Sequence, residues 1–86
     1  MNNKIPEIQK DLVLYVLEKS DLTDIEEIPL DSSLLLNGIL DSFGIIELVE
    51  FIESNWKISI DDSEFTLEQM GSITKMTELI SRKLAQ

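Results

Sequence analysis

Residues 37–54 read NGILDSFGIIELVEFIES. Asparagine and glycine make a turn, the pair Asp41–Ser42 follows, and apolar residues then recur at helical spacing with glutamates between them. Ile45 or Ile46, Val49, Ile52 and Trp56 trace one buried face, and Leu48 widens it. Glu47 and Glu50, then Glu53 and Ser54, lie around the other side. The spacing predicts a helix over 42–55. Asp41 suits its N-cap, because a carboxylate there accepts a backbone N–H and complements the positive end of the helix dipole. Gly44 sits in the first turn, where glycine costs up to about 1 kcal/mol relative to alanine. A serine at a helix start is ordinarily a cap. Here Asp41 already holds that place, so Ser42 falls at the first helical position with its hydroxyl free to face solvent. Asn37 and Gly38 put a turn just before it, which leaves the position open. The helix N-terminus behind it is suited to hold a phosphate esterified on that hydroxyl.

Upstream, residues 4–19 (KIPEIQKDLVLYVLEK) read as a helix. Its buried stripe runs through Ile5, Ile8, Leu12, Tyr15 or Val16, and Lys19, and Pro6 fits in the first turn, where its missing N–H costs nothing. Residues 21–41 form a long connection with turn formers Pro29, Asp31, Ser32, Ser33, Asn37 and Gly38. Leucines and isoleucines are scattered through it, so it is expected to pack across the core, with a helical turn near 32–36. Downstream, residues 57–61 (KISID) read as extended loop. TLEQMG has a Thr66-to-Gln69 capping-box spacing and a closing glycine, which predicts a short helix. Ser72 caps a last helix with Ile73, Met76, Ile80 and Leu84 inside and Lys75, Glu78, Arg82 and Lys83 outside. The expected fold is all-α: a small bundle of three main helices and one or two short ones, with a long loop between the first and second, as a single domain over 1–86.

The composition excludes more than it specifies. The 86 residues carry 17 acids, seven bases and no histidine, for a net charge of −10. Eight acids lie between residues 41 and 70 against Lys57 alone. Such a field repels nucleic acid and anionic lipid and favours partners with basic patches. Without histidine or cysteine there is no Ser-His-Asp triad, cysteine nucleophile or disulfide, and almost no zinc chemistry. No glycine-rich phosphate loop is present. Calcium loops read from Asn55 or Asp31 fail at the structural glycine, where Ile60 and Leu36 stand. No metal site and no self-contained enzyme is expected. Apolar runs are short, and the N-terminus MNNKIPEIQK has no apolar signal core, so a cytoplasmic monomer without membrane insertion is expected. These observations reach an exposed serine on an acidic helix in a domain with no catalytic kit.

The core Gly38-Ile39-Leu40-Asp41-Ser42-Phe43 resembles the phosphopantetheine attachment motif of the acyl carrier and peptidyl carrier family. The likeness extends over nearly the whole chain, through the first helix, the PLDSSLL loop, the acidic helix, the ISIDDSEF loop and the closing helix. Gly44 stands where typical fatty-acid carriers have an acid, which looks more like freestanding carriers of amino acids or secondary-metabolite acyl groups. The resemblance implies that Ser42 accepts 4′-phosphopantetheine from coenzyme A through a separate, magnesium-dependent phosphopantetheinyl transferase. It implies that cargo rides as a thioester on the arm's thiol, and that Asp41, next to the attachment point, helps the transferase engage. It further implies that Phe43, Ile45, Glu47 and Glu50 face partner enzymes; Ile46, Leu48, Val49, Ile52 and Trp56 are assigned to the core and not to the site. The partners implied are an acyl- or aminoacyl-loading ligase and downstream enzymes of fatty-acid, polyketide, nonribosomal-peptide or related biosynthesis. The alternative is a small acidic helical adaptor that binds basic protein surfaces without a prosthetic group.

Overall fold

The computed structural model describes residues 4–66 and 70–85. It contains three main helices: α1 (Lys4–Lys19), α2 (Ser42–Trp56) and α3 (Ile73–Leu84). Among the described residues there is no strand; of KISID, expected as extended loop, Lys57 instead ends α2 as a left-handed C-cap at φ 59°, and residues 58–61 are loop. Of the short helix expected from TLEQMG, residues 67–69, and with them the Gln69 half of the capping box, lie outside the described residues; the Met70 amide donates to the Thr66 carbonyl at 2.7 Å.

α1 and α3 pack most extensively on each other, and α2 lies against both. The stripe of α1 is Ile8, Leu12, Val13 and Val16, all buried. Ile5 and Lys19, expected to extend that stripe, are exposed. The helix outruns the core at both ends, and Val13 fills the place between Leu12 and Val16. In α3 the buried residues are Ile73, Met76, Thr77, Leu79 and Ile80, while Leu84 is half-buried. The stripe is wider than a strict three-four spacing because α3 is the most enclosed helix. Thr77 is tolerated inside because its hydroxyl donates to the Ile73 carbonyl at 2.8 Å, leaving no unsatisfied polar atom. Ser72 caps α3 as expected, its Oγ accepting from the Lys75 amide at 3.2 Å.

The 20–41 connection packs across the core through Ile28, Leu34 and Leu40. Its backbone is paired as well. The Leu34 amide donates to the Gly71 carbonyl at 3.2 Å, and the Leu30 carbonyl accepts from Thr74 in the first turn of α3 at 2.9 Å. A short 3-10 turn, Ile25–Glu27, is closed by a capping box with Asp24. A helical turn over Ser33–Gly38 stands where one was expected, with the Asn37 amide donating to the Ser33 carbonyl at 3.1 Å. A second 3-10 turn, Asp62–Glu64, was not foreseen. Glu64 holds it by accepting from the Asp61 amide at 2.9 Å and from the Lys83 ammonium at 2.8 Å. The bond from Lys83, first, and that from the Asp61 amide pull the Glu64 carboxyl below its usual range.

Candidate functional site

α2 begins where the turn chemistry ends. Gly38 takes φ +72°, with open space where a side chain would sit. The chain then returns to the core, where the Ile39 and Leu40 amides donate to the Leu34 carbonyl at 2.9 and 3.3 Å. Leu40 is buried, so the next two residues emerge at the surface from a fixed point. Asp41 is the N-cap, its Oδ1 accepting from the Gly44 amide at 2.7 Å. Ser42 is the first helical residue and is exposed. Both positions agree with the sequence reading.

Gly44 acquires a reason that the sequence does not show. A Cβ there would lie 3.3 Å from Asp41 Oδ1 and 3.3 Å from Leu40 Cβ. The bare position lets the cap and the core anchor close together over the first turn. Replacing Asp41 with Ala is expected to cost about 1 kcal/mol of stability, the usual value of a lost N-cap, in urea denaturation. An unchanged midpoint would mean that the Asp41–Gly44 bond carries no net stability.

Phe43, 66% exposed, Glu47, half-buried, and Glu50, exposed, lie on one outward stripe of α2. Ile45 does not join them. It is 9% exposed and sits in the core, and Ile46, expected in the core, is 48% exposed. The reason is angular. At 100° per residue Ile45 is in phase with buried Leu48 and Ile52, whereas Ile46 is in phase with Phe43, Glu47 and Glu50. Val49 and Trp56 are half-buried. Tyr15 stacks on Phe51 with centroids 4.3 Å apart, and Trp56 meets Phe51 edge-on at 5.8 Å. Partial burial, and then the charges of Glu47, Glu18 and Glu50, raise the Tyr15 phenol above its ordinary value. The negative field of α2 is therefore felt across the helix pair.

Phe43, Asp41, Gly44 and Glu47 also border a groove of about 400 Å³ that runs to Lys19, Ser20 and Asp21 at the end of α1. On the other flank Ile45 borders a smaller apolar hollow with Leu35, Phe65 and Met70. Leu36, 76% exposed, is the most exposed large apolar residue of the described chain, and its place at the surface was not foreseen. Its signal in the sequence was the Asn37–Gly38 turn immediately after it, which carries the chain end of the LLL run away from the core. Among the described residues no group of three or more acids is arranged to hold a metal ion, and no helix is long and apolar enough to cross a membrane.

What this arrangement offers chemically is one presented hydroxyl. The Asp41 carboxylate beside Ser42 is turned to the Gly44 amide, and among the described contacts the Ser42 hydroxyl meets no other base. The helix amides at Ser42 and Phe43 precede the intrahelical ladder, a setting that suits a phosphate oxygen. The exposed position and the uncrowded Gly38 leave room for a substituent on Oγ.

No family model matches the chain. It is 33% identical over 67 residues to a D-alanyl carrier protein of Streptococcus suis (strain 98HAH33), an alignment covering 78% of this chain and 84% of that one. It is 29% identical over 69 residues to a D-alanyl carrier protein of Streptococcus pyogenes serotype M1, covering 80% and 86%.

Proposed function

The chain belongs to the acyl-carrier-like family of freestanding carrier proteins, which are not enzymes, and from that premise we propose that Ser42 bears 4′-phosphopantetheine and that the cargo is a D-alanyl group. The observation that carries this reading is Ser42 itself, exposed at the first position of a helix already capped by Asp41, in a chain one-third identical to a D-alanyl carrier protein. When bound, the arm supplies a thiol for a thioester, which a chain without cysteine lacks.

The roles of this chain's own groups follow from their positions. Ser42 Oγ would give its proton to a base on the transferase as its bond to the pantetheine-bearing phosphorus of coenzyme A forms and the pyrophosphate P–O bond breaks, releasing adenosine 3′,5′-bisphosphate. The amides of the first turn face the resulting charge. The cap occupies one oxygen of Asp41 among the described contacts, and the other is available to the transferase's magnesium. Phe43 and Ile46 offer apolar contact between acids at Glu47 and Glu50, a surface suited to a basic patch on the transferase and on a D-alanine-loading ligase. Exposed charges of this kind set encounter rate more than affinity, which suits a cytoplasmic monomer that must leave each enzyme in turn.

The test is an intact mass after incubation with coenzyme A, magnesium and a broad-specificity phosphopantetheinyl transferase, followed by ATP, D-alanine and a D-alanine ligase for carrier proteins. The expected result is a gain of one phosphopantetheine mapped to Ser42, then of one alanyl group released by hydroxylamine. No gain with two unrelated transferases on a helical protein would overturn the reading in favour of an acidic adaptor. The acids have a separate expectation. Glu47→Lys with Glu50→Lys should slow modification by about ten-fold at low ionic strength, with the difference shrinking as salt is added. Equal rates at low salt would remove these residues from the docking face.

A further inference from the structure

The chain has one Asn-Gly step, Asn37–Gly38, five residues before Ser42; its other asparagines precede Asn3, Lys4 and Trp56. Asparagine followed by glycine is the pair most open to spontaneous deamidation, because no Cβ hinders attack by the next backbone nitrogen. Asn37 and Gly38 are both exposed, and no atom lies within 4 Å of the place a Gly38 side chain would occupy. The fold restrains the reactants. Asn37 Nδ2 donates to the Ser33 carbonyl at 2.7 Å, and the Gly38 amide donates to the Leu35 carbonyl at 3.1 Å. Both bonds must open before the Gly38 nitrogen can reach the Asn37 side-chain carbon.

We propose that Asn37–Gly38 is a site of spontaneous modification, held back by the Ser33–Gly38 turn, and that its conversion to isoaspartate impairs the presentation of Ser42; the second part rests on the carrier reading. In the reaction the Gly38 nitrogen bonds to Asn37 Cγ, losing its proton to solvent, and the Cγ–Nδ2 bond breaks with release of ammonia. Water then opens the cyclic imide at either carbonyl, giving aspartate or isoaspartate. Net, one water enters and one ammonia leaves, with no redox change. Either product adds a negative charge beside an already acidic site. Isoaspartate also lengthens the main chain by one carbon. That extra length falls between the Asn37 amide, tied to the Ser33 carbonyl, and the Ile39 and Leu40 amides, tied to the Leu34 carbonyl. The segment that delivers Asp41 and Ser42 from buried Leu40 would lose its register.

The experiment ages the full chain in mildly alkaline buffer, with Asn37→Gln alongside and the urea-unfolded chain as reference. Peptide mapping and isoaspartyl methylation locate the product, and transferase kinetics follow. The expected result is conversion at Asn37 alone, faster in the unfolded chain, absent in Asn37→Gln. The isoaspartyl fraction separated from the aged native protein should load phosphopantetheine about ten-fold more slowly than fresh protein, since small misplacements of a reacting group are costly. Fresh Asn37→Asp should load far faster than the isoaspartate form, which separates chain length from charge. Conversion at another asparagine, or equal rates folded and unfolded, would overturn the modification site whatever the protein carries. Equal loading by fresh and isoaspartyl protein would overturn the link to Ser42 while leaving both the modification site and the carrier reading in place.

Discussion

Ser42→Ala is expected to take up no phosphopantetheine while its circular dichroism and thermal midpoint stay with those of the native chain. The two halves of this result have separate physical causes. The hydroxyl of Ser42 is not the cap; the Asp41 carboxylate is. Alanine is at least as good a helix former as serine at an exposed first-turn position, so the change in stability should stay within about 0.5 kcal/mol. The loss of modification should be complete, because among the described residues no other serine is the first residue of a helix. Ser33 Oγ accepts from the Leu36 amide, and Ser20 Oγ donates to the Leu17 carbonyl. Ser72 is buried as the cap of α3. Intact mass reads the chemistry and circular dichroism reads the fold. A gain of one phosphopantetheine on the variant would move the attachment site elsewhere. A collapse of the helical signal would make Ser42 a structural residue and deny the division of labour with Asp41.

That division was legible in the sequence because caps and first helical positions are set by local backbone chemistry, which a short window contains. Asp41, Ser42 and Ser72 took the positions their side chains dictate. The first helix has the bounds its periodicity predicts, 4–19, and the second ends one residue later than expected, at Trp56. Periodicity was weaker where two adjacent residues have the same character. Ile45 and Ile46 differ by one step of helical rotation, so a loosely drawn stripe admits either; phase with Leu48 and Ile52 puts Ile45 inside, where the loop and Met70 also border it. The tight approach of Gly44 to Leu40 and Asp41 is a contact across the helix start, and no propensity scale carries it. The 3-10 turn at Asp62–Glu64 is closed by a local capping box between Asp61 and Glu64, a pattern present in the sequence, and Lys83, nineteen positions beyond Glu64, adds an ion pair that no local window contains.

The run Leu34-Leu35-Leu36 sharpens the point, because identical residues there are expected to respond in opposite ways. Leu34 is fully buried, while Leu36 is 76% exposed. Truncating a buried leucine removes its transfer free energy and leaves a cavity, so Leu34→Ala should cost about 3 kcal/mol. That is a large share of the 5–15 kcal/mol typical of small domains, and corresponds to a fall in midpoint of roughly 10–20 °C for a chain of this length. Leu36→Ala should stay within about 0.5 kcal/mol. Leu34 is also the place where the connection is tied down. Its amide meets Gly71 before α3, and its carbonyl receives the Ile39 and Leu40 amides that lead into Asp41 and Ser42. A loosened Leu34 should therefore disturb the presentation of Ser42 before the rest of the bundle opens. Urea denaturation of both variants, with transferase rates taken well below the midpoint of Leu34→Ala, separates the two effects. The expected pattern is a large stability loss with slowed modification for Leu34→Ala, and unchanged stability for Leu36→Ala. Equal stability losses at the two positions would mean that the loop does not hang from the core by Leu34. A destabilised Leu34→Ala that is modified at the native rate while folded would show that α2, through Asp41, holds Ser42 without the loop.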